Sequence, residues 1–468
     1  MADGKLQDPE LPAGAIVATQ AEDDTLAEGQ VRRNDGVVLD PAAKNPWYVL
    51  ATVAGEQAGN SILAVDLDLH ARNRRIWNGW MCGHMAEADR AALAEQIGLP
   101  PQELAPLTEE ERAGLDKRFA AAFPDLAEAD PVPKLGAIVD LGLTYFANPV
   151  ILWQYVFVWA PSFNEAHFAG SAFFDTAHFA HGASFEAAHF ARGASFEAAH
   201  FAGHASFVTA YFVGAADFLS ATFSGWAVFG SATFSGGADF GSATFSGPAV
   251  FRATTFSHLA DFSDGAFGAQ TVFKDARFLE AVPKFYQREL HQDTSFTTAE
   301  SHWPTITPGI AEEGKRAYTR LRQLMLQLEK PDDAYFFFRQ EMRCKEFEED
   351  HWWNRVPIAL FRWLSDYGYS VAQPAAGLVL WWLVPGFLYL FHFAGGIIGG
   401  TAPVSVVGPF GLSFANLFAF LGLHRVYFGD VLPGLPGWLQ ALAGAQTVAG
   451  VVLLFFLGLG LRNRFRLH

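Results

Sequence analysis

FSGWAVFGSATFSGGADFGSATFSG, residues 223–247, decides the fold. Phenylalanine falls there at 223, 229, 234, 240 and 245, in steps of six and five by turns. The same beat extends far in both directions. One series is Phe163, Phe174, Phe185, Phe196, Phe207, Phe218, Phe229, Phe240, Phe251, Phe262 and Phe273. The other is Phe168, Phe179, Phe190, Phe201, Phe212, Phe223, Phe234, Phe245, Phe256, Phe267 and Phe278. Each advances by 11, giving 22 phenylalanines, and alanine stands two residues before 18 of them; the exceptions are Pro161, Thr254, Gly265 and Thr271. Self-similarity at a fixed period sets the architecture before local propensity does.

An 11-residue period also suits a helix, as three turns of about 3.67 residues. A five-residue step, however, rotates a helix by about 140° and would split the phenylalanines into two stripes. The intervening Gly, Ser and Thr are poor helix formers. Short extended segments, with Phe and the preceding Ala inward and Gly and Ser at the corners, make a β-solenoid instead. The residue before each first-series Phe sizes the coil: Asp217, Val228, Asp239, Val250, Asp261, Val272. A four-sided coil of 22 residues stacks aspartate on one side and valine on the opposite side.

Motifs such as ASFEAAHF (183–190) and ADFGSATF (238–245) resemble the pentapeptide-repeat family across residues 163–278. That resemblance implies a right-handed quadrilateral β-helix, with the central Phe and the small residue two before it turned inward. The extra residue in alternate repeats departs from the family pattern and should enlarge a corner. With NPWYVLATVAGEQ (45–57) and GLRNRFRLH (460–468), the whole chain resembles bacterial, membrane-anchored members carrying a C-terminal two-transmembrane, ion-channel-like segment.

The phase sets the ends of the rod. LGLTYFANPVILWQYVFVWAPSFN (141–164) has no charge and imitates a membrane span, yet Leu141, Phe146, Leu152 and Phe157 keep the 11-residue steps. It reads as the first coil, with Asn148-Pro149 at a corner. Phe285, Leu290 and Phe296 continue the pattern after a one-residue slip. The expected organisation is an acidic, disordered stretch at 1–45, an α-rich cap at 46–135, and the solenoid at 136–296. An α-helical linker with an interfacial helix follows at 297–366, then a membrane region at 367–468. Thr108-Glu109-Glu110-Glu111 is a capping-box pattern in the cap. AEEGKRAYTRLRQLMLQLEK and DDAYFFFRQEMRCKEFEE read as amphipathic helices broken at Pro331, and HWWNRVPIALFRWLSD (351–366) suits a membrane interface.

Charge vanishes near the C-terminus. Of the 95 residues between Asp366 and Arg462, only Arg425 and Asp430 are charged. AAGLVLWWLVPGFLYLFHFAGG (375–396) and ALAGAQTVAGVVLLFFLGLGL (441–461) are each long enough to span a bilayer. Arg355 and Arg362 precede the first, and Arg462, Arg464 and Arg466 follow the second, so both flanks are expected in the cytoplasm. The apolar stretch 403–423 would separate those flanks if it spanned, so a re-entrant or interfacial course is expected. The N-terminus, MADGKLQDPELPAG, has no apolar run and no cleavable secretory signal is expected. The location expected is the inner membrane, with both termini and the β-helix cytoplasmic.

Chemistry is sparse. The chain carries 32 Lys+Arg against 49 Asp+Glu, a net −17 that disfavours binding nucleic acid through phosphates. Cys82 and Cys344 are too few for a disulfide framework. No phosphate loop, dinucleotide fingerprint or GxSxG elbow is present. Cys82 and His84, with His70, Asp66 and Asp68, lack zinc spacing. His167, His178, His189 and His200 step by 11 and invite a metal ladder, but the row continues as Thr222, Thr233, Thr244 and Thr255, which favours a plain outward polar row. No enzyme, cofactor or metal is expected.

The leading expectation is a membrane-anchored scaffold, with the lipid bilayer as one partner, a protein on the solenoid faces as another, and a second copy of the chain through the membrane hairpin as a third. The alternative is a two-transmembrane pore regulated by the β-helix. Its candidate residues are Val426, Tyr427, Phe428, Gly429 and Asp430, which with Pro433 resemble the potassium-filter pattern T-V-G-Y-G-D-x-x-P. Tyr427 replaces the filter's first glycine and Arg425 its threonine, which implies a degenerate filter. A lesser alternative is mimicry of DNA toward a topoisomerase, as in pentapeptide-repeat proteins that protect DNA gyrase. The solenoid at 141–296 has 12 acidic and 6 basic residues, only modestly acidic.

Overall fold

The computed structural model describes residues 18–19, 26–57, 65–124, 132–349, 351–394, 407–429 and 431–465. Two units are distinguished, residues 1–306 with 316–337, and residues 307–315 with 338–468.

The first unit is built on a β-solenoid of about seven turns with coils of about 22 residues. Each coil lays four short strands on four parallel sheets. A typical coil has Pro161–Ser162, His167–Phe168, Ala172–Phe173 and His178–Phe179 on the first to fourth faces. Register holds at 22 residues. Asp217 pairs with Asp239 and Asp239 with Asp261 on the third face, while Val228, Val250 and Val272 pair on the opposite, first face. All 22 repeat phenylalanines are at most 2% exposed, as strand alternation requires of the inward series. Their rings stack down each column at the coil spacing, as in Phe185–Phe207 at 4.9 Å and 1°. Neighbouring first-series columns meet edge to face, as in Phe207–Phe218 at 5.4 Å and 89°. Both geometries avoid the unfavourable eclipsed sandwich of ring quadrupoles or offset it with edge contacts. Leu141, Phe146, Leu152 and Phe157 are buried in the first coil.

The corners alternate. The five-residue steps typically close as a β-turn, as where Ala199 N–H donates to Phe196 O at 3.0 Å. Its third residue is left-handed: Leu143, Gln154, Glu165, Thr176, Ala187, Ala198, Thr209, Ser220, Ser231, Ser242, Ala253, Asp264 and Asp275 have φ from 50° to 60°. Each costs about 1–2 kcal/mol relative to an ordinary conformation. That residue's N–H bonds the next coil, as from Ala198 to Leu219 O at 2.8 Å, which holds the turn in place. The six-residue steps carry glycine for a different reason. A Cβ on Gly214 would lie 2.6 Å from the Arg192 carbonyl carbon, and one on Gly225 would lie 2.5 Å from Gly203 O. Coil meets coil there through bare backbone.

Helices α1 (Pro46–Ala51), α2 (Leu67–Cys82), α3 (Glu87–Ile97) and α4 (Glu109–Ala122) belong to the cap. The capping box at Thr108 and Glu111 is formed. The open edge of the first coil is paired by side chains of α2. Trp77 Nε1 donates to Val156 O at 2.9 Å, Asn78 Nδ2 donates to Gln154 O at 3.1 Å, and Asn78 Oδ1 accepts from Val156 N–H at 2.9 Å. An unpaired strand edge is thereby satisfied. The stretch 1–45 differs from its expected disorder where it is described. Val31–Arg33 and Val38–Pro41 form strands, the second pairing in parallel with Thr144–Phe146. Burial of Val31 and Leu39 explains this order despite the polar surroundings.

At the other end the coil lengthens to 23 residues, and Phe285 and Phe296 stack on Phe262 and Phe273. Leu290 is only half-buried; Arg288 enters the interior instead, 4.1 Å above the Phe267 ring, and donates to Asp264 O at 2.7 Å. Helices α5 (Pro308–Gln327) and α6 (Pro331–Glu348) follow. Trp303 and Phe337 close the aromatic column over Phe278 and Phe296.

The second unit holds α7 (Trp352–Ser365), α8 (Ala372–Phe393), α9 (Val407–Leu417), α10 (Leu423–Phe428) and α11 (Gly437–Phe465). At 1.5 Å per residue, α8 and α11 measure about 33 and 43 Å, enough to cross a bilayer core of about 30 Å. Helix α9 measures about 16 Å and does not reach across. Close crossings use glycine: a Cβ on Gly450 would strike Leu417 O, and one on Gly386 would lie 2.5 Å from the Phe410 ring.

Two substitutions separate the two demands of the solenoid. Phe240→Ala, which removes a ring stacked at 4.8 Å on Phe218, should cost about 3–5 kcal/mol in urea unfolding. Gly225→Ala should be comparably damaging, whereas Gly230→Ala, with no neighbour within 3.8 Å of the added Cβ, should change stability by less than about 1 kcal/mol. Equal effects of the two glycine changes would contradict the close-stacking account.

Candidate functional site

The solenoid presents four faces, on each of which outward residues 22 apart stack in register. The third face carries Ser195, Asp217, Asp239 and Asp261 in register. Each aspartate accepts the backbone N–H two residues on: Leu219 at 2.8 Å, Gly241 at 2.7 Å and Ser263 at 2.8 Å. Desolvation, with Asp217 and Asp261 on either side, holds the Asp239 carboxyl above its usual range despite the Gly241 bond. The first face is neutral, running Ser184, Ser206, Val228, Val250 and Val272.

The second and fourth faces carry the histidines, and here the polar-row reading needs correction. His167, His178 and His189 are 3%, 5% and 1% exposed. They are buried because flat rings stack on them at the coil spacing. Tyr145, His167, His189 and Tyr211 form one column, with His167–His189 centroids 4.5 Å apart. His178 and His200 form another, at 4.8 Å and 2°. Parallel rings aim their in-plane lone pairs in parallel, so stacked neighbours do not converge on one ion. Among the described residues, no group of three His, Cys, Asp or Glu is placed to hold a metal. Burial pulls the His167 and His178 pKa down to about 4 and that of His189 to about 3, aided by Arg33 for His167, by the stacked imidazole for His178, and by both for His189.

Where α2 lies on the first coils, a pocket of about 380 Å³ is lined by His70, Arg74, Trp153, Gln154 and Asp175 among others. Burial lowers the His70 pKa to about 4 and raises that of Asp175, since it disfavours the charged form of each. Arg74 bonds Gln154 and Glu103, and Asp175 accepts from Ser195. The charged and polar groups are thus largely engaged in joining cap to solenoid. Cys82 and Cys344 are buried free thiols, each pushed up to about 12 by desolvation.

The candidate pore residues are not arranged as a filter. Val426, Tyr427 and Phe428 lie in helix α10, and Gly429 continues with helical φ of −58°. Helical carbonyls point along the helix axis rather than into a lumen, and among the described residues the nearest left-handed one is Gly422, before the helix. Asp430 lies outside the described residues. Tyr427 at the first-glycine position and Arg425 ahead of it fit this helical course.

The polar residues that the sequence reading missed sit between the apolar helices. Tyr389 Oη donates to Gln446 Oε1 at 2.9 Å, and Asn416 Nδ2 donates to Tyr389 Oη at 3.4 Å. Gln446 Nε2 donates to Ser413 Oγ at 2.7 Å and to Trp381 O at 2.9 Å. These four side chains are buried, while Val379, Leu380, Val384, Phe387 and Phe391 of α8 and Val448, Val451 and Phe455 of α11 are exposed. A lone glutamine and asparagine in apolar runs are the signal that could have revealed the network.

The fold and these faces define a β-solenoid protein with an N-terminal helical cap and two long apolar C-terminal helices. No family model, characterised protein or solved structure matches the chain.

The histidine columns generate a pH dependence. Unfolding restores each imidazole to a pKa of about 6.5, so the unfolded state binds more protons wherever the pH is below that value. Stability is therefore complete above about pH 6.5 and falls toward pH 4, by up to about 1.4 kcal/mol per pH unit for each buried histidine. His189→Tyr, which extends the tyrosines already present at 145 and 211, should flatten that slope in urea titrations between pH 4.5 and 7. An unchanged slope would contradict the buried neutral columns.

Proposed function

We propose that this chain is a membrane-anchored, non-catalytic scaffold. In this reading α8 and α11 cross the bilayer as a hairpin, and α9 enters without crossing. The observation that carries it is the inverted polarity of the helix pair, with polar side chains inside and large apolar ones exposed. Water penalises that arrangement, whereas a bilayer rewards it, because internal hydrogen bonds and small-residue crossings join helices in lipid.

Basic flanks at Arg355 and Arg362 and at Arg462 and Arg464 favour a cytoplasmic position for both ends, at an inner membrane. The solenoid's regular faces, acidic on one side and neutral on the opposite side, suit recognition of a protein partner through repeated, rigidly spaced groups. The resemblance of the Phe and Ala beat to pentapeptide repeats supports the same reading, together with a right-handed, quadrilateral coil. Self-association through the hairpin is compatible with its exposed apolar surface.

The protein should sediment with membranes and resist extraction by alkaline carbonate. A maleimide that cannot cross membranes should reach Gly434→Cys from one side and Phe465→Cys from the other, the native thiols being buried. Carbonate-soluble protein, or labelling of both positions from one side only, would contradict the hairpin.

A further inference from the structure

Helix α7 has an apolar face that no described residue of its own unit covers. Trp352, Trp353, Val356, Leu360 and Trp363 are 69%, 55%, 41%, 48% and 74% exposed. At 100° per residue these five positions fall within an arc of about 100°, so they form one stripe rather than scattered exceptions. The other side of the helix is packed in its C-terminal half. Phe361 meets Phe456 of α11 at 5.8 Å, and beyond the helix Asn463 Nδ2 donates to Gly368 O at 2.8 Å. Arg355 and Arg362 border the stripe; the first donates to Glu349 O at 2.6 Å, and the second pairs with Glu346 at 3.2 Å.

The neighbours fix the level at which this stripe sits. Phe456 and Asn463 belong to the last turns of α11, next to Arg462 and Arg464, where an apolar helix ends and charge begins. In a spanning hairpin that level is the headgroup region, where the amphipathic indole ring is favoured. Three of the five stripe residues are tryptophan. A water-facing helix would not expose such a stripe, and a transmembrane one would not carry two arginines beside it.

We propose that α7 lies along the bilayer surface as an amphipathic anchor, with its tryptophan stripe inserted among the lipid headgroups and upper acyl chains. The occupant of the stripe is lipid, because α7 packs on α11 beside Arg462 and Arg464, the level at which the exposed apolar surface of α11 ends. This inference rests on the reading that α8 and α11 span the membrane, and it adds a second attachment. Arg355 and Arg362 reach to the aqueous side, as arginines at an interface do.

The test uses the full chain in phosphatidylcholine–phosphatidylglycerol liposomes, labelled with an environment-sensitive fluorophore at Trp363→Cys or, on the opposite arc, at Asn354→Cys. A lipid bearing a nitroxide near its headgroup should quench the label at 363 about twofold or more relative to that at 354, with aqueous iodide showing the reverse order. Equal quenching at both sites in carbonate-resistant protein overturns the inference alone. Burial of the 363 label that follows protein density rather than lipid nitroxide assigns the stripe to a second copy of the chain and also overturns it. Protein that carbonate extracts overturns the spanning reading, and the inference with it.

Discussion

One spacing governs the solenoid. Parallel coils lie a single strand-to-strand distance apart, so every side chain must tolerate its counterpart of the next coil at about 4.8 Å. A flat ring tolerates this well, and Phe columns with centroids near 4.7–5.0 Å fill the interior. The same spacing acts outside, where it stacks His167 on His189 and aligns three aspartates. Charges dislike such repetition. Desolvation by the stacked neighbours, with this repulsion added, is why the imidazole of His189 favours neutrality and why Asp239 holds its proton more readily than usual.

Much of this was legible, because a period is a long-range statement written locally. The alternation of Asp217, Val228, Asp239 and Val250 sized the coil, and the structure places the two residue types on opposite faces. The slip before Phe285 was also legible, since a one-residue insertion shifts every later column. Glycine is legible only in part. It marks the six-residue corners through close backbone approach at Gly214 and Gly225, while the left-handed corners hold Glu165, Ala198 or Ser231. No residue type announces those corners, because cross-coil hydrogen bonds enforce the conformation.

The misreadings have a common origin. Polarity alone assigns His167, His189 and the stretch around Val31 and Leu39 to water. Repetition buried the first two, and pairing with the open sheet edge ordered the third. Arg288 is the extreme case, a guanidinium lying over Phe267 where the pattern called for Leu290. A planar cation over a ring face is favourable enough to end an aromatic column. In the second unit, composition sufficed to find α8 and α11 but not their glue. Tyr389, Ser413, Asn416 and Gln446 are far apart in sequence, and only packing brings them together.

The central claim is that residues 22 apart, not 11 apart, are neighbours. Cysteine pairs measure this directly, because a disulfide needs Cα atoms within about 7 Å. Thr222 pairs in register with Thr244 on the fourth face, whereas Thr233 lies on the second face, across the coil. Mild oxidation should therefore close a disulfide in the Thr222→Cys/Thr244→Cys protein and leave the Thr222→Cys/Thr233→Cys protein reduced. A disulfide in the second pair and none in the first would contradict the account.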